Sequence, residues 1–399
     1  MYSRRAAKNI MKEIKIAVIA HNCRSGGGLI GATSLIGAFK NVAQKEKFLL
    51  ICSSGYGYEE IELPPKSELF VYKGSHSPFA RYWFETITLP RIVNSYKPDV
   101  IFGSGNIGVT NPNVPQALLI HQAYLFYEKK YWPDTPLRWR FRIWALKQQI
   151  KKSLPKTDLI FCQTPIVRQR FSDKFGYPAG RIKVLRWPAP AEIKAAAILD
   201  SPPVIDKSAG NFYFLLLTNY MPHRNPSVLI PLCKRYGTEI RAKRIKFITT
   251  VEKKDGPHAV KFLKEISEYN LEDIIANVGY LSREDVLRYL SHSDVLWMPT
   301  TLETLCLPFL EAMAVEVPIL APDIDFARYV CGDAAIFYDP WDVESIFSNI
   351  MLMRENASLR KELVEKGKAQ LGDRKIFAGS WEETATDLIR NLRLLVIVN

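Results

Sequence analysis

Residues 295–314 read VLWMPTTLETLCLPFLEAMA, and this stretch decides the fold class. Residues 295–298 form a short apolar run that is typical of a buried strand, and the apolar pattern of 305–314 predicts a helix directly after it. Glu303 lies in the intervening loop, and Glu311 follows eight residues later, about two turns into the helix. Ligands of open α/β sheets bind beyond the carboxyl ends of the strands. The stretch therefore predicts a ligand site at one end of a parallel sheet.

Strand and helix patterns alternate in both directions from this stretch. Apolar runs predict strands at 14–20, 48–52, 100–102, 117–121, 158–162 and 181–185, and again at 212–217, 245–249, 274–278, 318–321 and 335–337. Helical patterns lie between them, the first from residue 29 to about 43. This rhythm predicts two tandem α/β domains of the Rossmann-like type with parallel sheets. In the helical tail, 358–394, Gly367 and Gly372 predict breaks.

Prolines mark the boundary between the two domains. Four of them fall between positions 188 and 203, in a polar stretch that ends near Gly210, and proline opposes regular structure. We therefore expect an N-terminal domain at 1–190, a linker at 187–210 and a C-terminal domain at 211–375. A C-terminal helix at 376–399 is expected to pack back toward the N-terminal domain.

Composition indicates a folded chain with about two hydrophobic cores. The chain has 399 residues, of which 47% are hydrophobic and 24% charged, so it is long enough for two domains and too apolar to stay disordered. No run of about 18 apolar residues predicts a spanning helix, and the basic start at 1–12 lacks a signal core. The six cysteines lie far apart without a C-x-x-C pair, which argues against a zinc site or disulfide framework and for a cytoplasmic location.

Positive charge is concentrated in the first half. Residues 1–190 carry 29 Lys and Arg against 12 Asp and Glu, a net charge of +17, whereas the remainder carries −4. Basic surfaces attract phosphates of lipids, substrates or nucleic acids. The stretch 136–152 combines cations with Trp139 and Trp144, and it fits either a helix resting on an anionic membrane or an ordinary amphipathic helix on the sheet. The sequence contains no recognised nucleic-acid-binding motif, so binding of nucleic acid is not expected.

The helix start near 305–307 is suited to a phosphate, because the first backbone N–H groups of a helix have no partner within it. An acidic pair on a solvated helix is the simpler reading, but the surrounding apolar residues predict that Glu311 is buried and therefore partnered. Two other motifs are weaker. Residues 25–28 (SGGG) lack the P-loop lysine, and Asp323 and Asp325 are interpreted as a loop and helix cap rather than a metal site.

The stretch resembles the E-x7-E motif of retaining glycosyltransferases of the GT-B fold, specifically the large family 4 ("group 1" transferases). The resemblance extends to VGYL at 278–281, to residues 318–340 and to TNYMPHRN at 218–225, which is similar to the family's G-R-x4-K-N segment. Looser landmarks occur at 97–99, His121 and 181–188. The resemblance implies a GT-B architecture, in which the sheets of two Rossmann-like domains face each other across a cleft.

Carried over by position, the resemblance implies a donor site in the second domain. Arg224 would pair with the donor diphosphate, bidentately if it uses its planar fork. Glu311 would bind the ribose and Glu303 the hydroxyls of the donor sugar. The remaining donor positions are Asn219, the backbone of Cys306 and Leu307 at the phosphate, and Gly279 and Leu281 at the base.

In the first domain, His121 would reach the reaction centre from across the cleft, although a lone histidine is often an ordinary core residue. Gly26, Gly27 and Gly28 would let the backbone approach donor or acceptor phosphate closely, because glycine has no Cβ. Glu303, His121 and Arg224 are thus the expected catalytic residues. No metal and no cofactor beyond the nucleotide sugar are expected.

Three departures from the family pattern bear on activity. Asn219 replaces an arginine, Cys306 replaces a glycine, and residues 315–316 replace a Cys-Gly pair.

The expected function is transfer of a hexose, mannose-like or similar, from a nucleotide diphosphate sugar to a glycan or lipid-linked acceptor, with retention, in cell-surface polysaccharide synthesis. Such an enzyme would be cytoplasmic or peripheral on the inner membrane face. A catalytically weak sugar-nucleotide binding protein and a GT-B sugar-nucleotide epimerase remain alternatives.

Overall fold

The computed structural model describes residues 12–75, 77–132, 135–189 and 200–398. The strands are β1 (Ile14–Ile19), β2 (Glu46–Ser53), β3 (Glu68–Tyr72), β4 (Val100–Gly103), β5 (Gln116–Leu119), β6 (Leu159–Cys162), β7 (Ile182–Val184), β8 (Phe212–Leu216), β9 (Ile245–Thr249), β10 (Ile275–Asn277), β11 (Val295–Trp297), β12 (Ile319–Pro322) and β13 (Ala335–Tyr338). They form two sheets, and every strand pairing in both sheets is parallel.

The helices follow the strands in alternation. They are α1 (Gly26–Val42), α2 (Pro78–Trp83), α3 (Leu89–Tyr96), α4 (Leu137–Ser153), α5 (Pro165–Phe175), α6 (Leu229–Ala242), α7 (Pro257–Glu268), α8 (Arg283–His292), α9 (Leu307–Ala314), α10 (Asp325–Cys331), α11 (Val343–Glu355), α12 (Ala357–Gly372) and α13 (Trp381–Val398), with a π-helical turn, Phe84–Thr88, between α2 and α3. No helix among the described residues is long and apolar enough to cross a membrane.

The chain divides into two compact units. Unit 1 contains the described residues of 1–126, 137–188 and 378–399, and unit 2 contains those of 127–136 and 189–377. The sheet of unit 1 has the order β3-β2-β1-β4-β5-β6-β7, and that of unit 2 has the order β10-β9-β8-β11-β12-β13. Both are doubly wound orders in which the first strand of the unit lies at the switch point. The prediction of two Rossmann-like parallel-sheet folds is therefore confirmed.

Burial on both faces explains the apolar strand runs. Ile16, Val18 and Ile19 of β1 are at most 1% exposed, and Phe214, Leu215 and Leu216 of β8 are fully buried. Helices cover both faces of such a sheet, so a central strand has no solvated side on which polar residues could alternate. β3 is an edge strand whose residues are exposed or half-buried, and it was not predicted although residues 69–72 form a short apolar run.

Unit 1 ends with α13, which packs beside α1. Arg186, next to β7, lies 3.3 Å from Glu383 and 3.2 Å from Asp387 of α13. Trp187 is 2% exposed and packs on Trp381 at a ring distance of 5.2 Å. Trp187 is thus part of the unit 1 core, whereas the expected linker began at this residue. Residues 190–199 of that linker, and residues 1–11 of the basic start, lie outside the described residues.

The structure differs from the expectations at four further places. Residues 127–136 pack in unit 2 rather than with the first domain, since Tyr127 donates a hydrogen bond to Asp325 at 2.8 Å. Helix α1 begins at Gly26 instead of residue 29, and α9 begins at Leu307 instead of residue 305. Gly367 does not break α12, which continues to Gly372. Glycine at this position instead permits a close approach of α12 to α9, since a Cβ there would lie 3.2 Å from Met313.

Candidate functional site

Two loops of unit 2 meet at the carboxyl ends of adjacent strands. β8 and β11 pair through Val295 and Phe214, so the segments that follow them lie side by side. The first contains a 3-10 turn, Pro222–Arg224, and the second contains Glu303. Arg224 Nε lies 3.7 Å from Glu303 Oε1, with the two side chains 26% and 20% exposed. The topology thus joins the two predicted catalytic residues of this unit.

The Arg224–Glu303 pair is loosely bonded. Burial raises the pKa of Glu303, and the charge of Arg224 only partly opposes this shift. Arg224 Nε is buried and has no hydrogen-bond partner. A distance of 3.7 Å is too long for a hydrogen bond, so both groups retain bonding capacity toward a third group. An arginine with unused donors is suited to phosphate oxygens, and a desolvated carboxylate is suited to sugar hydroxyls.

A buried network fixes the loop that carries Glu303. The Thr301 backbone N–H donates to the carbonyl of His223 at 2.7 Å, and the Thr301 hydroxyl donates to the carbonyl of Tyr131 at 2.6 Å. His223 is 8% exposed, and burial lowers its pKa well below the usual value, so the ring is neutral beside Arg224. None of these three residues was predicted from the sequence. Tyr131 lies 170 positions before Thr301, and no local pattern links them.

The start of α9 has the geometry of a phosphate-binding turn. Cys306 precedes the helix with φ 58° and ψ 74°, a left-handed conformation that favours glycine. Its side chain does not cap the helix, so the Leu307 N–H can serve a ligand. Pro308 has no N–H, and the Phe309 N–H donates to the Cys306 carbonyl at 3.0 Å. Burial raises the pKa of the Cys306 thiol well above its usual range, so the thiol stays protonated. Because Cys306 keeps the left-handed conformation that glycine would adopt there, the turn is preserved at a conformational cost of about 1 kcal/mol.

Glu311 lies on the face of α9 that meets α8. It is 2% exposed, and Arg283 Nη1 donates to its Oε1 at 2.6 Å. The predicted burial and partner of Glu311 are thus present, but Arg283 was not predicted to be that partner. Arg283 Nη2 is buried without a hydrogen-bond partner. The pair therefore holds the carboxylate in place and leaves one donor available to a ligand.

The predicted base pocket borders the same ion pair. Gly279 and Leu281 lie in the connection from β10 to α8, two to four positions before Arg283. Gly279 has φ 72°, and a Cβ there would meet no atom within 4 Å, so glycine serves the backbone conformation. Leu281 is half-buried. Asn219 is exposed after β8, and its carbonyl accepts a hydrogen bond from the Thr218 hydroxyl at 2.6 Å.

In unit 1, the glycine stretch and His121 are brought together. Gly26 to Gly28 form the first turn of α1, and a Cβ at Gly28 would lie 3.3 Å from Nε2 of His121. His121 follows β5, and its backbone N–H donates to Asn106 Oδ1 at 2.8 Å. Burial lowers the pKa of His121 to about 4. The imidazole is therefore neutral at physiological pH, so it offers one hydrogen-bond donor and one acceptor but no positive charge.

Unit 1 contains a buried carboxylate, Glu85, that was not predicted. Glu85, in the π-helical turn, is 5% exposed. It accepts hydrogen bonds from Arg81 Nε at 2.7 Å and Gln149 Nε2 at 2.8 Å, and it lies 3.2 Å from His21 Nε2. Burial raises the pKa of Glu85, but the hydrogen bond from His21 and the charge of Arg81 together outweigh it and lower the pKa. This cluster connects α4 to the turn that follows α2.

Two sequence families match the chain on either side of residue 190. The family described as "Glycosyl transferases group 1" matches residues 201–370, and "Glycosyltransferase Family 4" matches residues 44–188. The chain is also similar to the O-antigen chain mannosyltransferase B of Escherichia coli, with 24% identity over 305 residues that cover 76% of each chain.

Solved structures of the same architecture include WaaG, a glycosyltransferase involved in lipopolysaccharide biosynthesis, at 15% identity and a TM-score of 0.70, over 94% of this chain and 99% of WaaG. Anabaena HepE in complex with UDP and glucose has 14% identity and a TM-score of 0.68, over 95% and 100% of the two chains. Sucrose-phosphate synthase from Thermosynechococcus elongatus has 17% identity and a TM-score of 0.72, over 97% and 100%. These likenesses show the GT-B fold.

Proposed function

We propose that the chain is a GT-B glycosyltransferase of group 1 type, because two glycosyltransferase family models match residues 44–188 and 201–370. It would transfer a hexose, mannose or a similar sugar, from a nucleotide diphosphate sugar to a glycan or lipid-linked acceptor with retention of configuration. The reaction would serve cell-surface polysaccharide synthesis at the cytoplasmic face of the membrane. The similar O-antigen mannosyltransferase and the HepE complex with UDP and glucose support the sugar and the donor class.

The observation that carries this proposal is the arrangement of Arg224 and Glu303. A cation with an unbonded buried Nε and a desolvated carboxylate lie 3.7 Å apart at the carboxyl end of the unit 2 sheet. Arg224 would bind the diphosphate and Glu303 the sugar hydroxyls. Glu311, held by Arg283, would accept hydrogen bonds from the ribose. The turn at Cys306 would cap a phosphate, Gly279 and Leu281 would line the base, and Asn219 would face the diphosphate.

The chemistry follows from these positions. The bond from the anomeric carbon to the diphosphate breaks, and negative charge develops on the departing phosphate oxygen. Arg224 and the helix amides would stabilise that charge in a shielded site without any metal. The acceptor hydroxyl would attack from the face that the diphosphate leaves, and its proton would pass to the diphosphate. Glu303 and His121 would orient the sugar. Gly26 to Gly28 would let the backbone approach donor or acceptor closely.

The first experiment is a thermal-shift screen of the full chain against nucleotide diphosphate sugars, because a ligand of the folded state raises the unfolding midpoint. Sugar transfer to a lipid-linked acceptor then identifies the product, and its anomeric configuration tests retention. We expect Arg224→Ala and Glu311→Ala to abolish transfer while the chain stays folded. Arg241→Ala is the matched control, since it removes an arginine that pairs with Asp273 at 2.6 Å elsewhere in unit 2. Transfer at wild-type rate in Arg224→Ala or Glu311→Ala would refute the site.

A donor-binding protein without turnover is the second candidate. It is favoured by Asn219, an exposed residue that stands where the family has an arginine. Without that cation the leaving diphosphate is less well stabilised. The same assays separate the candidates: thermal stabilisation by a donor without a transfer product supports the binding protein. Epimerised sugar from the donor alone, without acceptor, supports an epimerase. Chelation by EDTA tests the metal-free chemistry, and loss of transfer on chelation would contradict it.

A further inference from the structure

We propose that unit 1 docks on an anionic phospholipid bilayer through helices α2 and α4, and that the apolar cavity beside α2 receives hydrocarbon from that bilayer. The docking surface is defined as the exposed side chains of α2 and α4 with the lining of this cavity. The inference deepens the proposed function, because a lipid-linked acceptor would lie in the same bilayer. Its evidence is separate, since it concerns neither the donor site nor unit 2.

Helix α4 presents aromatic residues and cations together. Its 17 residues, LRWRFRIWALKQQIKKS, include six Lys and Arg and no acidic residue. Leu137, Phe141 and Trp144 are 78%, 66% and 55% exposed, and their spacing of four and three places them on one face of the helix. The rings of Phe141 and Trp144 stack at 5.5 Å. Basic residues with exposed Trp, Phe and Leu on one helix are typical of a segment that lies in a membrane interface.

Helix α2 extends this apolar surface. Phe79, Tyr82 and Trp83 are 77%, 68% and 55% exposed. The hydrogen bond from Gln149 of α4 to Glu85, directly after α2, holds the two helices as neighbours. Six of the fourteen exposed large hydrophobic residues among the described ranges lie on these two short helices. Such clustering exceeds the scattered exposure of an ordinary solvated surface and marks an interaction site.

An apolar cavity opens beside α2 at the edge strand β3. It has a volume of about 520 Å³. Its lining includes Phe70, Tyr72, Phe79, Trp83, Phe84 and Thr88. Phe79 and Trp83 also belong to the exposed surface, so the cavity is continuous with it. A cavity of this lining favours a hydrocarbon segment over a sugar, which needs several polar partners.

Charge identifies the occupant of the surface as anionic. Burial lowers the pKa of Arg142, and the neighbouring charges of Arg81, Arg24 and Arg138 lower it further. Arg142 is therefore repelled by three neighbouring arginines, and Glu85 is a carboxylate that bonds to one of them, Arg81. An anionic surface would relieve this repulsion while accepting the aromatic side chains. A zwitterionic surface or an apolar protein partner would accept the aromatic side chains but would not relieve the repulsion between the arginines.

The test is cosedimentation of the full chain with phosphatidylcholine vesicles that contain or lack about 30% phosphatidylglycerol. We expect at least about a tenfold higher partition onto the anionic vesicles, decreasing with salt. Phe79→Ser with Trp83→Ser, and separately Arg138→Gln with Arg142→Gln, should each lower this partition at least about tenfold. The matched controls are Trp341→Ser, whose side chain is 55% exposed like Trp83, and Lys261→Gln with Lys264→Gln, whose side chains are both 72% exposed.

Equal partition onto the two vesicle types, or equal losses in the control variants, would overturn the proposal. Quenching of tryptophan fluorescence by bromine-labelled acyl chains tests the depth: replacement of Trp83 and Trp144 by Phe should remove most of it, and unchanged quenching would place the contact elsewhere. Donor-induced thermal stabilisation is measured in the same samples. If no donor stabilises the wild-type chain although the chain binds anionic vesicles, the proposed function is refuted and the docking surface is not. If a donor stabilises the chain but the chain does not bind vesicles, only the docking surface is refuted.

Discussion

Glu303→Gln and Glu311→Gln should change the stability of the apo protein in opposite directions. Both substitutions replace a carboxylate of one motif by its neutral isostere, so the volume and shape of the side chain barely change. Glu303 is desolvated beside an arginine at 3.7 Å, and its pKa is raised by burial. Glu311 instead accepts a hydrogen bond of 2.6 Å from Arg283. The environment of each carboxylate therefore determines the sign.

The magnitudes follow from these contacts. Neutralising the poorly bonded and largely desolvated carboxylate at 303 should raise the free energy of unfolding by about 1 kcal/mol at pH 8. Removing the charge at 311 should lower it by about 1–2 kcal/mol, since a charged hydrogen bond contributes about 1.5–3 kcal/mol and Arg283, which is 30% exposed, can partly rehydrate. At position 303 the raised pKa means that wild-type stability falls as pH rises through the folded-state pKa. The advantage of Glu303→Gln should therefore vanish as the pH falls toward the ordinary glutamate range.

The assay is urea-dependent hydrogen exchange followed by mass spectrometry, read from β8 and β11 peptides so that only unit 2 is reported. Measurements at pH 5 and pH 8 separate the charge effect from any packing effect. Both variants should lose sugar transfer, so activity and stability diverge at 303 and fall together at 311. A decrease in unfolding free energy for Glu303→Gln at pH 8, or equal shifts for the two variants, would refute the electrostatic reasoning.

Three further outcomes are expected. Gly31→Ala should destabilise unit 1 by about 2 kcal/mol, because its Cβ would lie 2.0 Å from the buried ring of Trp187, whereas Gly37→Ala on the same helix meets nothing within 4 Å and should stabilise by about 0.5–1 kcal/mol; urea unfolding checks both. Glu85→Gln should lower the unfolding free energy by about 1–2 kcal/mol at pH 7, with a smaller difference as the pH falls below 4, because the depressed pKa contributes stability only while Glu85 is ionised. Asn219→Arg should tighten nucleoside diphosphate binding about tenfold by calorimetry, as an exposed charge-assisted contact, and unchanged affinity would remove position 219 from the diphosphate site.

Local patterns were sufficient for the two sheets and for the motif of unit 2. Buried parallel strands read as continuous apolar runs, and helices between them show a different period, so the alternation is visible without any neighbour. The loop that carries Glu303 and the helix that carries Glu311 were found in this way. Edge strand β3 was not predicted, although residues 69–72 form a short apolar run. The first helical pattern was placed from residue 29, three residues too late, because glycines are poor helix formers and yet begin α1 here.

Tertiary packing alone decided the partners of the site residues. The arginine that holds Glu311 comes from α8, and the carbonyl that anchors Thr301 comes from Tyr131, 170 positions away. Which side chains meet across helices and loops depends on the register and twist of whole elements, and residue type at one position does not encode this. The sequence by itself determined two Rossmann-like sheets and where the carboxylates lie along the chain. Tertiary structure alone decided that Glu303 is poorly bonded and that Glu311 is firmly paired. Burial and contact distance, rather than residue type, set the electrostatic environment of each carboxylate.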